Sequence, residues 1–512
     1  MFFKESSQCS IICKLAVASS EAVSLQPKVP LQISRDEIRS IYAQGEEAVI
    51  TLVESLVERI NGLESRVEAL ENQINKNSHN SSKPPSSDGF GKRTKSLRGK
   101  SERSSGGQLG HPGSTLDWCE HPDSVLVYPV KSCSGCGVSL KEVSVIDRDL
   151  RQVHDLPMIH IAVTEHQCDI KCCPGCGTLN RGKFPSEVQQ VVQYGPNLQC
   201  LMVYLLDLQL IPSGRVCELL SDVYGVQISE GTLYNVRARC FNELDDIEQE
   251  IKVALTDSPV VHFDETGFRV KNKLWWLHVA CTDGLTFYFV HTKRGKIAMD
   301  AMNILPQFKG IANHDGLRSY AQYESTHSLC NAHHLRELIF IAERYAQAWA
   351  SQMIALLVEM NETVKAAKAL EQLALAPSYL ESFEQRYQGI LQAGFAENPS
   401  IPIPENQVKP RGRPKQSPAK NLLDRLQSHS EAVKRFIYNF NVPFDNNQAE
   451  RDLRMMKLKQ KISGCFRSEQ GALTFCRIRG YMSTLRKQGA NVLDALVQLF
   501  MGDPISPLPL PE

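Results

Sequence analysis

The sequence predicts a multi-domain α/β protein, and three observations carry that prediction. The chain has 512 residues, more than one hydrophobic core ordinarily serves, and 42% of them are apolar. Strand-patterned segments crowd residues 258–330 before a helix opens near His333, which points to a sheet with helices packed against it. Ahead of the sheet stand a heptad seam, two Cys-x-x-Cys pairs and a helix-turn-helix pattern, each a module with its own periodicity or spacing.

Composition excludes several classes. With 57 basic and 57 acidic residues the formal charge is zero, so a globally basic coat for nucleic acid is ruled out and any such surface is local. Two segments qualify. Lys92, Arg93, Lys95, Arg98, Lys100 and Arg103 form one; in the other, ten Lys or Arg between 451 and 487 face only Asp452 and Glu469. No stretch approaches the roughly 20 uncharged apolar residues of a membrane span, so no membrane partner is expected. At the start, Lys14 interrupts the apolar run 11–18 and no cleavage site follows, which reads as a disordered leader over 1–35. Sixteen cysteines spread along the chain, four of them in Cys-x-x-Cys pairs, suit a reducing cytoplasm and one structural metal.

The heptad seam lies within 36–77. Val53, Ile60, Val67 and Ile74 take position a; Val49, Leu56, Leu63 and Leu70 take d. Beta-branched a residues over leucine-rich d positions favour a parallel two-stranded coil, with Arg59 and Arg66 facing Glu64 and Glu71 of the partner. A homodimer or higher assembly is therefore expected. Residues 78–115 are dense in Ser, Gly, Pro and Lys and read as a flexible basic linker that tracks phosphates without base specificity.

Cys133, Cys136, Cys173 and Cys176 supply four thiolates at the spacing of a closed tetrahedral zinc site, which defines a zinc-binding domain over 116–184. Cys168 and Cys172 crowd the second pair, so the choice between Cys172 and Cys173 stays open. Residues 185–250 carry helical patterns at 198–210, 216–224 and 232–239. In GVQISEGTLYNV, Gly225 permits a sharp helix exit and Ser229 caps the next helix, which would turn Thr232, Tyr234, Asn235 and Arg237 toward a DNA groove. An ordinary helical hairpin fits the same pattern.

The sheet is assigned to 256–340 and 436–465. PVVHFDETGFRV, KLWWLHVACTDG and LTFYFVHTKR read as three antiparallel strands, followed by a helix at 297–305 and short strands at GIANHDG and THSLC. Asp264 ends the apolar run of the first strand and Asp315 that of the fourth, an arrangement that brings two carboxylates to neighbouring strand ends, as a Mg2+ site requires. A third acid is sought on a helix, and Glu450 in VPFDNNQAERDLRMMKLKQK is the candidate, with Arg454 and Lys457 placed to hold DNA phosphates. Turn capping for either aspartate and a surface ion pair for Glu450 are the bland alternatives. Glu265 is expected on the opposite strand face. His333 is a candidate for positioning a phosphate or water. Residues 341–435 form a helical insertion and basic linker in which Arg411 and Arg413 of KPRGRPK suit a narrow minor groove. Residues 466–512 form a C-terminal helical region and tail.

The stretches NSSKPPSSDG, GGQLGHPGSTL, the two knuckles, VVQYGPNLQCLMVYLL, GVQISEGTLYNV, HFDETG, HDGLRSY, CNAHHLREL, FDNNQAERDLR and FRSEQGALTFCRIRGYMSTLRKQG occur in that order. On them the chain resembles insertion-sequence transposases of the IS66 type, from about 37 to 496. The resemblance implies a ribonuclease-H-like catalytic domain with a helical insertion and an Asp-Asp-Glu triad at Asp264, Asp315 and Glu450. It implies two Mg2+ (or Mn2+) ions per active site. It further implies cleavage at an element's terminal inverted repeats, strand transfer into target DNA, accessory proteins from the same element, and a place in the cytoplasm at the nucleoid. Two departures are visible: Asn331 stands in Cys330-Asn331-Ala332-His333 where the family often has Trp, and Leu317 follows HDG where an aromatic is common. The sequence leaves two rivals, a non-catalytic DNA-binding regulator and a nuclease that cleaves without joining.

Overall fold

Ser34 opens the first helix of the described residues through a capping box: Glu37 N–H donates to Ser34 Oγ at 3.2 Å, and Ser34 N–H donates to the Glu37 carboxylate at 2.8 Å. The computed structural model describes residues 33–81, 116–156, 159–185, 187–400 and 416–506. Contacts divide the chain into two units, Met1–Lys95 and Ser96–Glu512. Most of the expected leader, nearly all of the basic linker, and Arg411 and Arg413 lie outside the described residues.

In the first unit α1 (Arg35–Tyr42) precedes α2 (Glu46–Asn75), a 30-residue helix. The expected seam runs along α2 and stays open: Ile60 and Val67 are each 53% exposed. An apolar stripe of that kind on a long helix is stabilised by a second helix rather than by helical propensity alone.

The second unit begins with the two knuckles. Cys133 and Cys173 repeat one geometry. Each accepts the amide of the glycine four residues on (Gly137 at 3.0 Å, Gly177 at 2.9 Å), and each glycine takes a left-handed φ that a Cβ would strain. The second knuckle joins β1 (Ile170–Cys172) to β2 (Leu179–Arg181), which pair antiparallel. Among the described residues of 116–185 none is buried, so this region has no apolar core to hold it.

Next come α3 (Pro196–Val203), which runs into a π-helical turn at Tyr204–Leu208, then α4 (Ser213–Tyr224), α5 (Glu230–Glu243) and α6 (Asp245–Asp257). Gly225 closes α4 in a left-handed cap, and Ser229 accepts the Thr232 amide at 3.1 Å to start α5. Both caps fall where the sequence places them. The helix α6 was not foreseen, although Ile247, Ile251 and Leu255 repeat every four residues and are buried.

Five strands form one mixed sheet: β3 (Val260–Val270), β4 (Lys273–Cys281), β5 (Thr286–His291), β6 (Ile311–His314) and β7 (Thr326–Leu329). Their order is β5-β4-β3-β6-β7, antiparallel among β3, β4 and β5 and parallel from β3 through β6 to β7. Helix α7 (Lys296–Met302) crosses from β5 to β6. Alternation along β3 divides the two faces: Val261 and Phe263 enter one apolar cluster, Phe268 and Val270 another.

The first cluster also takes side chains from α3 to α7. The segments expected as a separate helix-turn-helix region and C-terminal region therefore share one core with the sheet. The second cluster is covered by α13 (Asn447–Ser463) and α14 (Glu469–Lys487), and α15 (Val492–Met501) returns to the first. Between β7 and α13 the chain builds the expected helical insertion from α8 (Asn331–Tyr345), α9 (Ala348–Ala369), α10 (Pro377–Glu397), α11 (Pro418–Ser428) and α12 (Ser430–Tyr438). These helices pack around the fully buried Trp349, Phe383 and Tyr387.

Candidate active site

Three elements converge on the β6 side of β3. The register pairs Val260 with Ile311, Val261 with Ala312 and His262 with Asn313, and the same offset carries Asp264 to the level of Asp315. Asp264 does not end its strand: β3 continues to Val270 on its β4 partner, and it is β6 that stops, at His314. The opening is thus a gap at the edge of a continuing strand. Asp315 sits in the turn just beyond β6, where its Oδ1 accepts the Leu317 amide at 2.8 Å and Gly316 adopts φ +88°.

Asp264 shares its face of β3 with His262 and Phe268, the face that α13 covers. Glu450 lies in the first turn of α13. The approach of helix to strand is fixed by Asn446, which is 1% exposed. Its Nδ2 donates to the Phe263 carbonyl at 2.9 Å, its Oδ1 accepts from His262 Nδ1 at 2.7 Å, and its amide donates to Cys330 Sγ at 3.1 Å. One buried residue, through its side chain to β3 and its backbone amide to Cys330, so ties β3, α13 and the start of α8 together.

Burial drives the Asp264 carboxyl well above the usual aspartate range, and the charges of Glu265, Asp315 and Glu450 push it the same way. Glu450 Oε1 is buried and accepts no hydrogen bond. His333 Nε2 stands 4.0 Å from it, and an Arg336 nitrogen stands 3.9 Å from Oε2. Burial lowers the His333 imidazole below its ordinary value although Glu450 opposes this, and its Nδ1 also lacks a partner. Among the described residues, Cys330, His333 and Glu450 are the set of donors gathered within 4.8 Å; the three acids are less tightly gathered than that. Cys330 contributes little as a ligand while burial holds its thiol up at about 12.

The other acids of this motif are committed elsewhere. Asp452 pairs with Lys487 at 2.7 Å in a nearly buried contact and also accepts from Thr286 Oγ1. Asp445 accepts from the amide and side chain of Asn447 at the helix start. Glu450 alone of these acids keeps a buried oxygen that accepts no hydrogen bond, and its charge is felt at Asp264.

A second layer stands behind the aspartates. Glu265 faces away from Asp264 along the strand, and its side chain is wholly buried. Arg294 Nε donates to Glu265 Oε1 at 2.8 Å, and Tyr320 Oη donates to Oε2 at 2.7 Å. Tyr320 stacks on His314 with ring centroids 4.4 Å apart. The Gly316 amide donates to His314 Nδ1, which leaves Nε2–H to donate to His327 Nδ1 at 3.1 Å; His327 Nε2–H then donates to the Tyr323 carbonyl. That chain pins the turn carrying Asp315. Asn446, Arg294, Tyr320 and His314 were all missed in the sequence, though Asn446 lies inside FDNNQAE and both His314 and Tyr320 lie inside HDGLRSY.

Elsewhere the expectations divide. Arg454 and Lys457 are exposed on α13, and Lys457 Nζ donates to the Gly267 carbonyl at 2.6 Å. Tyr234 and Asn235 are exposed on α5, and Thr232 is half-buried beside its cap. Arg237 corrects the sequence reading. It is buried and bidentate to Asp207, at 2.8 and 2.6 Å, because the π-helical turn carries that carboxylate beneath α5; it cannot reach a DNA groove. The basic run 451–487 is likewise not one surface: Arg477 pairs with Glu248 and Asp245, Arg479 donates to the Asp207 and Leu208 carbonyls, and Lys487 holds Asp452. Within the knuckles, hydrogen bonding to Cys136 lowers the Cys133 thiol and hydrogen bonding to Thr178 lowers the Cys176 thiol, but the four sulfurs are not gathered into one set.

No helix of the described residues is long and apolar enough to cross a membrane. A family of unknown function (DUF6444) matches residues 35–117. No curated protein matches the chain. The model of the Transposase IS66 family matches residues 191–474, more than half of the chain and all of the strands and helices that bring Asp264, Asp315 and Glu450 together, and the chain therefore belongs to that transposase family.

Proposed function

We propose that the chain is a DDE-type transposase with a ribonuclease-H-like catalytic core, in which Asp264, Asp315 and Glu450 hold two divalent ions, Mg2+ or Mn2+. The observation that carries this reading is the gathering of acids at Asp264: a carboxylate raised by burial and then by the charges of Glu265, Asp315 and Glu450, the last two from other elements, with no ion pair to a cation among the described residues. Such a cluster is costly unless positive charge enters it. Its donors are hard carboxylate oxygens, which suit Mg2+ or Mn2+, and the unpartnered Glu450 Oε1 is a free donor. The strand order, two antiparallel and then two parallel steps with α13 across one face, supports the core assignment.

When bound, the ions supply an activated water or 3′ hydroxyl and stabilise the leaving oxygen of an in-line displacement at phosphorus. The protein's own part is placement. Asn446 sets the distance between Glu450 and the aspartates, and Gly316 with the His314 chain sets the Asp315 turn. His333 and Arg336 stand where a phosphate beside Glu450 would meet them. Tyr234, Asn235, Arg454 and Lys457 belong to the DNA-facing surface in this reading. The cysteine knuckles would close around structural Zn2+, giving a core to a region that has none, and the open seam of α2 would pair two copies so that two DNA ends are held at once.

The test is Asp264→Asn in the full chain, assayed with a duplex carrying the element's terminal repeat and a target plasmid. Loss of Mg2+-dependent joining with end binding retained supports the reading. Joining at the unsubstituted rate overturns it, and cut ends that the unsubstituted chain never joins would mark a nuclease instead.

A further inference from the structure

Arg294 is the strongest unassigned feature beside the acid cluster. It follows β5 and precedes α7, and its guanidinium is held three ways. Nε and one terminal nitrogen both lie 2.8 Å from Glu265 Oε1, the plane rests on the Trp276 ring at 4.9 Å, and a terminal nitrogen reaches to 4.0 Å from Asp315 Oδ2. Glu265 is in turn fixed by Tyr320. A surface ion pair would leave both partners mobile, whereas here the carboxylate is wholly buried and the arginine keeps 41% of its side chain in solvent. Glu265 engages Nε and one terminal nitrogen, the same nitrogen that stands 4.0 Å from Asp315 Oδ2, so a five-donor guanidinium kept partly in solvent has donors left for a further acceptor beside Asp315.

We propose that Arg294 is a phosphodiester-binding subsite, aimed by Glu265 and Trp276 at the DNA phosphate that lies against Asp264 and Asp315. This rests on the acid-cluster reading for the position of the DNA. A fixed guanidinium matches two non-bridging phosphate oxygens, and a cation already neutralised on one edge by a buried carboxylate does not collapse onto Asp315 in place of the metal. Arg294 touches substrate in this account; Glu265 and Tyr320 are positioning residues.

The test walks a single uncharged methylphosphonate along the cleaved strand of a fluorescein-labelled terminal-repeat duplex and reads Kd by anisotropy in Ca2+. For the unsubstituted chain, one position at or beside the cleavage site is expected to weaken binding about 10-fold, the scale of one charge-assisted contact. Arg294→Ala should abolish that sensitivity at the same position, and Arg294→Lys should restore part of it. Should the alanine variant fail to fold because Glu265 is left unpaired, Arg294→Ala with Glu265→Gln removes both partners and is read in the same way. If the alanine variants keep the full sensitivity at every position, Arg294 is only a structural partner of Glu265 and the proposal falls. Asp264→Asn separates the two readings: cleavage by that variant at the unsubstituted rate would defeat the acid cluster, while the methylphosphonate profile still reports on Arg294.

Discussion

Asn446 Nδ2 donates to the Phe263 carbonyl at 2.9 Å, so the helix that carries Glu450 is bonded to the strand residue immediately before Asp264. Asn446→Ala strips partners from a buried carbonyl and from His262, at a cost of about 1–3 kcal/mol for each polar group left unpaired. The expected result is a lower Tm and a fall in Mg2+-dependent cleavage of about 10- to 100-fold, the size seen when a partner that orients metal ligands is lost. Unchanged cleavage in a folded variant would remove Asn446 from the positioning machinery.

That residue also shows where sequence reasoning stops. The strands were legible because Val260 to Phe263, Trp275 to Val279 and Phe287 to Val290 are mostly β-branched or aromatic, and the helix caps because Gly225 and Ser229 have one local reason each to be there. Asp264 and Asp315 were legible as acids closing apolar runs. Illegible were the contacts made across long separations: Arg237 with Asp207 and Lys487 with Asp452 each looked like available charge until the fold supplied a buried partner. Position on a helix face does not disclose what packs against that face.

The two acids of α13 should behave oppositely. Asp452→Ala leaves the buried Lys487 with only the Thr282 and Leu285 carbonyls and no counter-charge, and breaking such a pair costs about 3–5 kcal/mol, read as a lower midpoint in urea. Glu450→Gln is expected to leave the urea midpoint unchanged or raised and to abolish joining. The reverse pattern would make Asp452 the third acid.

On α5, stability and DNA binding should separate. Arg237→Ala strands the buried Asp207 carboxylate and is expected to cost about 3–5 kcal/mol. Tyr234→Ala and Asn235→Ala should leave Tm within a degree or two and weaken end binding, measured by anisotropy. A DNA affinity indifferent to both would argue that α5 is a packing helix only.

Asp264 gives the metal-free protein a distinct pH dependence. Its folded pKa is raised, so the folded state binds that proton more tightly than the unfolded chain does. The stability this contributes is fully present below the ordinary aspartate value and is lost as pH rises through the raised one. In EDTA, Tm should fall as pH rises out of the usual carboxylate range toward neutrality, and Asp264→Asn should flatten that fall. At pH 7, removal of the charge should raise Tm in EDTA. Mg2+ should raise the unsubstituted protein's Tm and raise that of Asp264→Asn less. Parallel pH curves for the two proteins in EDTA would contradict the buried charge.

The most direct test of the central claim is the rate at which Glu450→Gln joins terminal-repeat ends to target DNA at saturating Mg2+. Glutamine keeps the shape of the side chain and removes the charge that Asp264 feels across the site. Three carboxylates acting together on divalent ions require that rate to fall below about one hundredth of the unsubstituted value, more than loss of an outer-shell partner costs, with end binding intact. Joining at the unsubstituted rate would show that the acid cluster of Asp264, Asp315 and Glu450 is not the catalytic centre.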